Sequence, residues 1–154
     1  MNDQALRDHL IQLLEEEHAH AQFESAVKDF PPHFRGRRPD GKGHSAWELL
    51  EHLRIAQWDI LEFSRDASHV SPKWPAGYWP DSEGPPDERA WDESVEQFLA
   101  DRRALAELVR DPATDLFAPI AHGTGQTILR EAMLAADHNA YHVGQIVMVK
   151  KILT

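Results

Sequence analysis

The 154-residue chain contains no cysteine. That excludes disulfides, thiolate metal ligands and a cysteine nucleophile, so any metal it holds has nitrogen or oxygen ligands. Positive charge is also scarce: 16 Lys and Arg stand against 26 Asp and Glu, a formal net charge of −10. An acidic chain without a basic stripe repels phosphate backbones, which argues against nucleic acid as a partner. Arg35, Arg37 and Arg38 do cluster, but Pro31, Pro32, Gly36 and Pro39 around them read as a solvated loop. No apolar run approaches the ~18 residues of a membrane span, and Met1-Asn2-Asp3-Gln4 does not begin a secretory signal. The expectation is a cytoplasmic protein with no membrane partner. Internal repeats and low-complexity tracts are absent too. A single domain over residues 1–154 is the natural reading, long enough for a real core.

What the chain does contain is helical periodicity in four stretches. From about Asp3 to Lys28, apolar and then polar residues recur at three- and four-residue steps: Leu6, Leu10, Leu13, Glu17, His20, Glu24 and Val27. These predict helix one. Glu17 and His20 on its polar end are candidate pocket-lining residues, with the solvated edge of an amphipathic stripe as the competing account. Ser45-Ala46-Trp47-Glu48 is a capping box that opens helix two, and this structural job removes Glu48 from the candidate bases. Leu49, Leu53, Ala56, Ile60 and Phe63 form the buried stripe of that helix, and His52 borders it. Helix three is expected from about Glu88 to Arg110, with Trp91, Val95, Phe98, Leu105 and Val109 inward and Arg102 snorkelling outward. Helix four is expected from Thr124–Thr127 to about Leu153.

Between helices two and three, Pro72, Pro75, Pro80, Pro85 and Pro86 forbid a helix, while Trp74, Tyr78 and Trp79 suggest an ordered strap. About 20 residues is long against the 2–8 usual in bundles, and such a connection can cross the fold and start the next helix parallel to the last. The predicted fold is therefore all-α, a four-helix bundle running up-down-down-up with a long Pro/Trp-rich connection.

Helix four carries the chemistry. Its seam reads Ile128, Glu131, Ala135, His138, His142, Gln145, Val149 and Ile152, apolar at both ends and polar in the middle. Chance gives about 0.6 His pairs at four-residue spacing in a chain this rich in histidine, so spacing alone says little. Position says more, because buried polar groups without partners cost on the order of 1–3 kcal/mol each. Two imidazoles one helical turn apart can point at one ion, and His52 is the candidate third ligand from another helix. A hydrogen-bonded core pair is the bland alternative. Three neutral ligands leave room for a guest, the arrangement of catalytic zinc sites, in which water or a thiol becomes nucleophilic near neutral pH. Zinc is the first choice, with nickel, iron and manganese as alternatives. Asp137, Tyr141 and Gln145 are candidates to orient the ligands or touch a small-molecule substrate. Two other metal templates fit less well. Asn139 stands where an H-E-x-x-H metalloprotease has its glutamate, and a di-iron bundle needs Glu-x-x-His on two helices, which helix four lacks. A second apolar stripe on helix four, Met133, Ala136, Ala140, Val143 and Val147, points to a homodimer.

The two segments Ser45-Ala46-Trp47-Glu48-Leu49-Leu50-Glu51-His52-Leu53 and Asp137-His138-Asn139-Ala140-Tyr141-His142-Val143-Gly144-Gln145 together resemble the DinB-like proteins, over nearly the whole chain. The resemblance implies an up-down-down-up four-helix bundle, often dimeric, with a three-histidine metal site matched by His52, His138 and His142. Relatives of that kind include metal-dependent transferases that use low-molecular-weight thiols and a thiol-dependent isomerase. The leading expectation is a metal-dependent enzyme activating water or a small thiol for transfer or hydrolysis. The alternative is a non-catalytic dimeric binding module whose metal is structural or absent.

Overall fold

The computed structural model describes residues 3–15 and 19–154. It is all-helical among these residues, with α1 at Gln4–Leu14, α2 at Phe23–Val27, α3 at Ala46–Arg65, α4 at Ala90–Arg110 and α5 at Ile128–Leu153. No described helix is long and apolar enough to cross a membrane.

The single long helix expected from Asp3 to Lys28 is not formed: α1 ends at Leu14 and α2 is a separate short helix. Helix geometry explains the break. Leu14 and Phe23 are both fully buried, yet nine residues at ~100° each put them on opposite sides of one straight helix. Ending α1 and restarting at Phe23, after Gln22 in extended conformation, turns both toward the core. The inward row of α1 is Arg7, Leu10, Ile11 and Leu14, whereas Leu13, assigned to the seam by periodicity, is 57% exposed. Arg7 is buried because its guanidinium donates to the backbone carbonyls of Val109, Asp111 and Thr114 and to the Asp3 carboxylate, so it ties α1 to the end of α4.

The other helices begin where their caps dictate. The Ser45 hydroxyl accepts the Glu48 amide and the Glu48 carboxylate accepts the Ser45 amide, which completes the capping box. Thr127 caps α5 by accepting the Arg130 amide. Arg102 departs from expectation. It does not snorkel outward but is buried, with its guanidinium on Glu24 of α2.

The core divides into two clusters. One gathers Phe23, Val27 and Phe30 with the first half of α3, the first half of α4 (Trp91, Phe98) and the second half of α5 (Val143, Ile146, Val149). The other joins α1 to the second halves of α3 and α4 and the first half of α5, through Leu10, Leu14, Leu61, Leu105, Val109 and Ala132 among others. Polar side chains of α3 and α5 meet between the clusters, near the level of His52 and Gln57.

The proline-rich segment from Asp66 to Arg89 is a strap laid along α3. His69 and Tyr78 both hydrogen-bond Asp59 of α3, and Ser45 at the helix start donates to the Glu83 carbonyl. The strap also meets the loop that precedes α3. A Cβ on Gly36 would lie 2.8 Å from the Gly84 Cα, so the two backbones touch where only glycine fits. We expect Gly36→Ala to lower stability by about 1–3 kcal/mol, as overpacking against backbone does. Urea unfolding beside the wild type checks this.

Candidate metal centre

His52 lies two turns into α3, on the face that meets α5. His138 and His142 lie one turn apart on α5 and face back. The outcome is a group in which one nitrogen from each ring lies within 4.8 Å of the others. The Nε2 atoms of His52 and His138 are 3.0 Å apart. The ring of His142 stands edge-on to both, at 4.5 Å from each. His52 and His142 are buried and His138 is half-buried.

The outer edges of two rings are fixed. Nδ1 of His52 lies 2.8 Å from the Tyr78 carbonyl, which can only accept, so Nδ1 carries the proton and Nε2 keeps its lone pair. Nδ1 of His142 lies 2.6 Å from the Gln145 Oε1 and is fixed the same way. Nδ1 of His138 is buried without a hydrogen-bond partner. Trp79 stacks flat on His52 at 4.1 Å and 4° and takes His44 on its other face at 4.0 Å.

Electrostatics keep the rings neutral. Burial, reinforced by its two histidine neighbours, pushes His138 down to about 3. Burial and the nearness of His52 push His142 down to about 4. His52 is also lowered by burial, against the opposing pull of the Tyr78 carbonyl. Neutral imidazoles are the form that ligates metal. Two lone pairs held inward by carbonyl-type acceptors on the far nitrogen are the outer arrangement usual for metal-bound histidine. These three histidines thus have the donor set, protonation and convergence to hold a divalent ion.

The carboxylates nearby are committed elsewhere. Burial pushes Glu48 up, but Arg38 and the Ser45 amide outweigh it and hold it below the usual range. Glu51 accepts from Arg54 and from Ser94 of α4. Asn139, the residue that stands in place of a metalloprotease glutamate, turns into the core and donates to Gln57 of α3 at 2.8 Å.

Of the other sequence candidates, Gln145 sits against His142 as described. Tyr141 packs edge-on to His142 at 4.8 Å while remaining 65% exposed. Asp137 is exposed, and His20 is exposed in the bend ahead of α2, outside the histidine group. Glu17 lies outside the described residues. Tyr78, Trp79 and His44 were not singled out for the site. The aromatic content of the strap was the only sign of Tyr78 and Trp79, because no spacing rule links a loop to a helix it crosses; His44, just ahead of the Ser45 cap, carried no signal of its own. A groove of about 340 Å³ lies on the far side of Gln145 and Tyr141, lined by Leu49, Val149, Met148 and Ile152 with Tyr141, Gln145, His44 and Lys42 around it; none of the three clustered histidines lines it.

Residues 5–146 match the family model described as the DinB superfamily. The chain belongs to that superfamily. No curated protein and no solved structure matches the chain.

The depressed histidines give a pH test on metal-stripped protein. Unfolded histidines take up protons near pH ~6.5, whereas the folded His138 and His142 stay neutral to about 3 and about 4. Between those values the unfolded chain holds more protons, so their contribution is present in full above pH ~6.5 and is lost as pH falls toward 4. Denaturant titrations from pH 7.5 to 4.5 should show stability falling less steeply in His138→Gln/His142→Gln than in the wild type.

Proposed function

We propose that this protein is a metal-dependent enzyme that makes a small nucleophile, water or a thiol, reactive toward a second small molecule, for transfer or hydrolysis. The observation that carries the reading is the convergence of three neutral imidazoles, His52, His138 and His142, at a place where a well-packed bundle needs only leucine. A divalent ion held there, zinc first and nickel, iron or manganese as alternatives, supplies a Lewis acid able to render water or a thiol nucleophilic near neutral pH. The protein's share is threefold. Tyr78 and Gln145 hold ligand tautomers, Trp79 covers one face of His52, and the apolar groove beside Gln145 and Tyr141 takes the body of a substrate. With Glu48 and Glu51 tied up in ion pairs, neither is free to act as a base, which favours chemistry that relies on the ion for activation.

On this reading the fold is a four-helix bundle, up-down-down-up, with α1 and α2 together as one broken leg. The core clusters support it: the first halves of α3 and α4 share a cluster with the second half of α5, as parallel α3 and α4 and an antiparallel α5 require. We also propose a homodimer through α5. Met133, Tyr141, Met148 and Ile152 expose more than half their surface on one side of that helix, and since the last three also wall the groove, a second copy there would border it; Val143 of the second stripe is spent in the protein's own core. The same exposed row favours the second reading, a dimeric binding module in which the metal is structural.

Metal analysis of protein purified without a histidine tag tests the reading first. About one divalent ion per chain is expected, with loss of it in His138→Ala. Substoichiometric metal that does not change in His138→Ala overturns it. Thiol conjugation and hydrolysis assays on the loaded protein then separate enzyme from module, since a structural metal yields turnover in neither.

A further inference from the structure

Asp59 has no place in the histidine group, yet it is coupled to it. On α3 it follows His52 by seven residues, which at ~100° and ~1.5 Å per residue puts it on the same face about 10 Å along the helix. Its two carboxylate oxygens are divided between two residues of the strap. Oδ2 accepts the Tyr78 hydroxyl at 2.6 Å and Oδ1 meets His69 Nε2 at 2.7 Å. The Asp59 and His69 side chains are 13% and 7% exposed, so this knot is largely out of water. Trp58 packs edge-on to His69 and closes its outer side. Tyr78 is thereby gripped at its phenol end by Asp59, while its backbone carbonyl reaches His52 Nδ1 at 2.8 Å. The next residue, Trp79, is the one stacked on His52.

We propose that Asp59 and Tyr78 are positioning residues for the metal centre, clamping the strap so that the Tyr78 carbonyl and the Trp79 ring fix the tautomer and tilt of His52. The inference rests on the three-histidine reading but concerns different residues. A carbonyl acceptor on a loop has many orientations open to it. Fixing the same residue's side chain to the helix that carries the ligand, two turns away, leaves few. Asp59 holds the Tyr78 hydroxyl as a donor, since burial and the carboxylate itself push the phenol's pKa up. His69 occupies the other oxygen and limits rotation of the carboxylate. Outer partners of a metal-bound histidine are typically worth 10–100-fold in affinity, and here the partner is a peptide carbonyl whose placement depends on side chains remote from the ion.

The test is the dissociation constant for Co²⁺ and Zn²⁺, measured by competition with a chromophoric chelator on full-length protein. Tyr78→Phe, which leaves the carbonyl in place and removes only the clamp, is expected to weaken binding about 10-fold. Asp59→Ala is expected to do the same. The double variant should be no weaker than the worse single, because both break one linkage. Asp59→Asn keeps an acceptor for the phenol and should recover most of the affinity. Val109→Ala, in the core cluster away from the site, serves as a control for destabilisation and should leave the constant unchanged while lowering the melting temperature. The visible Co²⁺ spectrum reports the ligand field directly and should shift in Tyr78→Phe but not in Val109→Ala. If the wild type binds Co²⁺ while Tyr78→Phe and Asp59→Ala bind within twofold of it, the clamp is overturned and the metal reading stands. If the wild type itself fails to bind, both fall.

Discussion

Neutral nitrogen facing neutral nitrogen across a largely buried helix–helix contact is the constraint on which the rest of this molecule turns. Two Nε2 atoms at 3.0 Å are tolerable only if one donates a proton or both give their lone pairs to a cation. With Nδ1 of His52 committed to the Tyr78 carbonyl, that ring offers a lone pair inward. His138 then either donates from Nε2 to His52 or turns a second lone pair toward the same point, and in both cases its Nδ1 has no partner. Natural cores satisfy their buried polar atoms with few exceptions. What bears on a ligand is the close approach of the two Nε2 atoms, not the unpartnered Nδ1.

The surroundings are built to keep that meeting point in place. The α3–α5 contact continues through Gln57 and Asn139, an amide pair almost entirely buried. One hydrogen bond, from Asn139 Nδ2 to Gln57 Oε1, ties the two helices at this level, while Gln57 Nε2 and Asn139 Oδ1 stay buried without a partner. Above and below it the two apolar clusters clamp the helices along their length. The strap closes the flank of His52, held by Asp59 at one end and by Ser45 and the Gly36–Gly84 contact at the other. The capping serine therefore has two jobs: it starts the helix that carries His52, and it fastens the segment that covers it. Net acidity elsewhere does not intrude, since Glu48 and Glu51, the carboxylates nearest to His52 in sequence, are neutralised by Arg38 and Arg54.

Much of this was legible in the residues, for reasons that differ from place to place. The start of α3 was readable because a capping box is a local device whose geometry lies within four residues. The histidine pair on α5 was readable because a polar centre in an otherwise apolar seam breaks a periodic pattern. His52 could be nominated only as a partner at a compatible level of the bundle, and the fold brought it there. The first helix was misread because a period-based seam tolerates a drift of one residue. Taking Leu13 in place of Leu14 hid the half-turn between Leu14 and Phe23 that forces the break. Arg102 was misassigned for want of a partner in view, as Glu24 lies 78 residues away. His20, within that break, is exposed rather than gathered with the other histidines.

By itself the sequence determined the helical class, the absence of thiolate ligands, the two histidine-bearing segments and the family to which they belong. Each of these is written in composition or in contacts a few residues apart. The tertiary structure decided the tautomers, the neutral charge state and the outer wall of the centre, including Tyr78, Trp79 and Asp59. Those properties arise from burial and from hydrogen bonds between a helix and a loop that crosses it, and no periodicity in a linear chain encodes where a crossing falls.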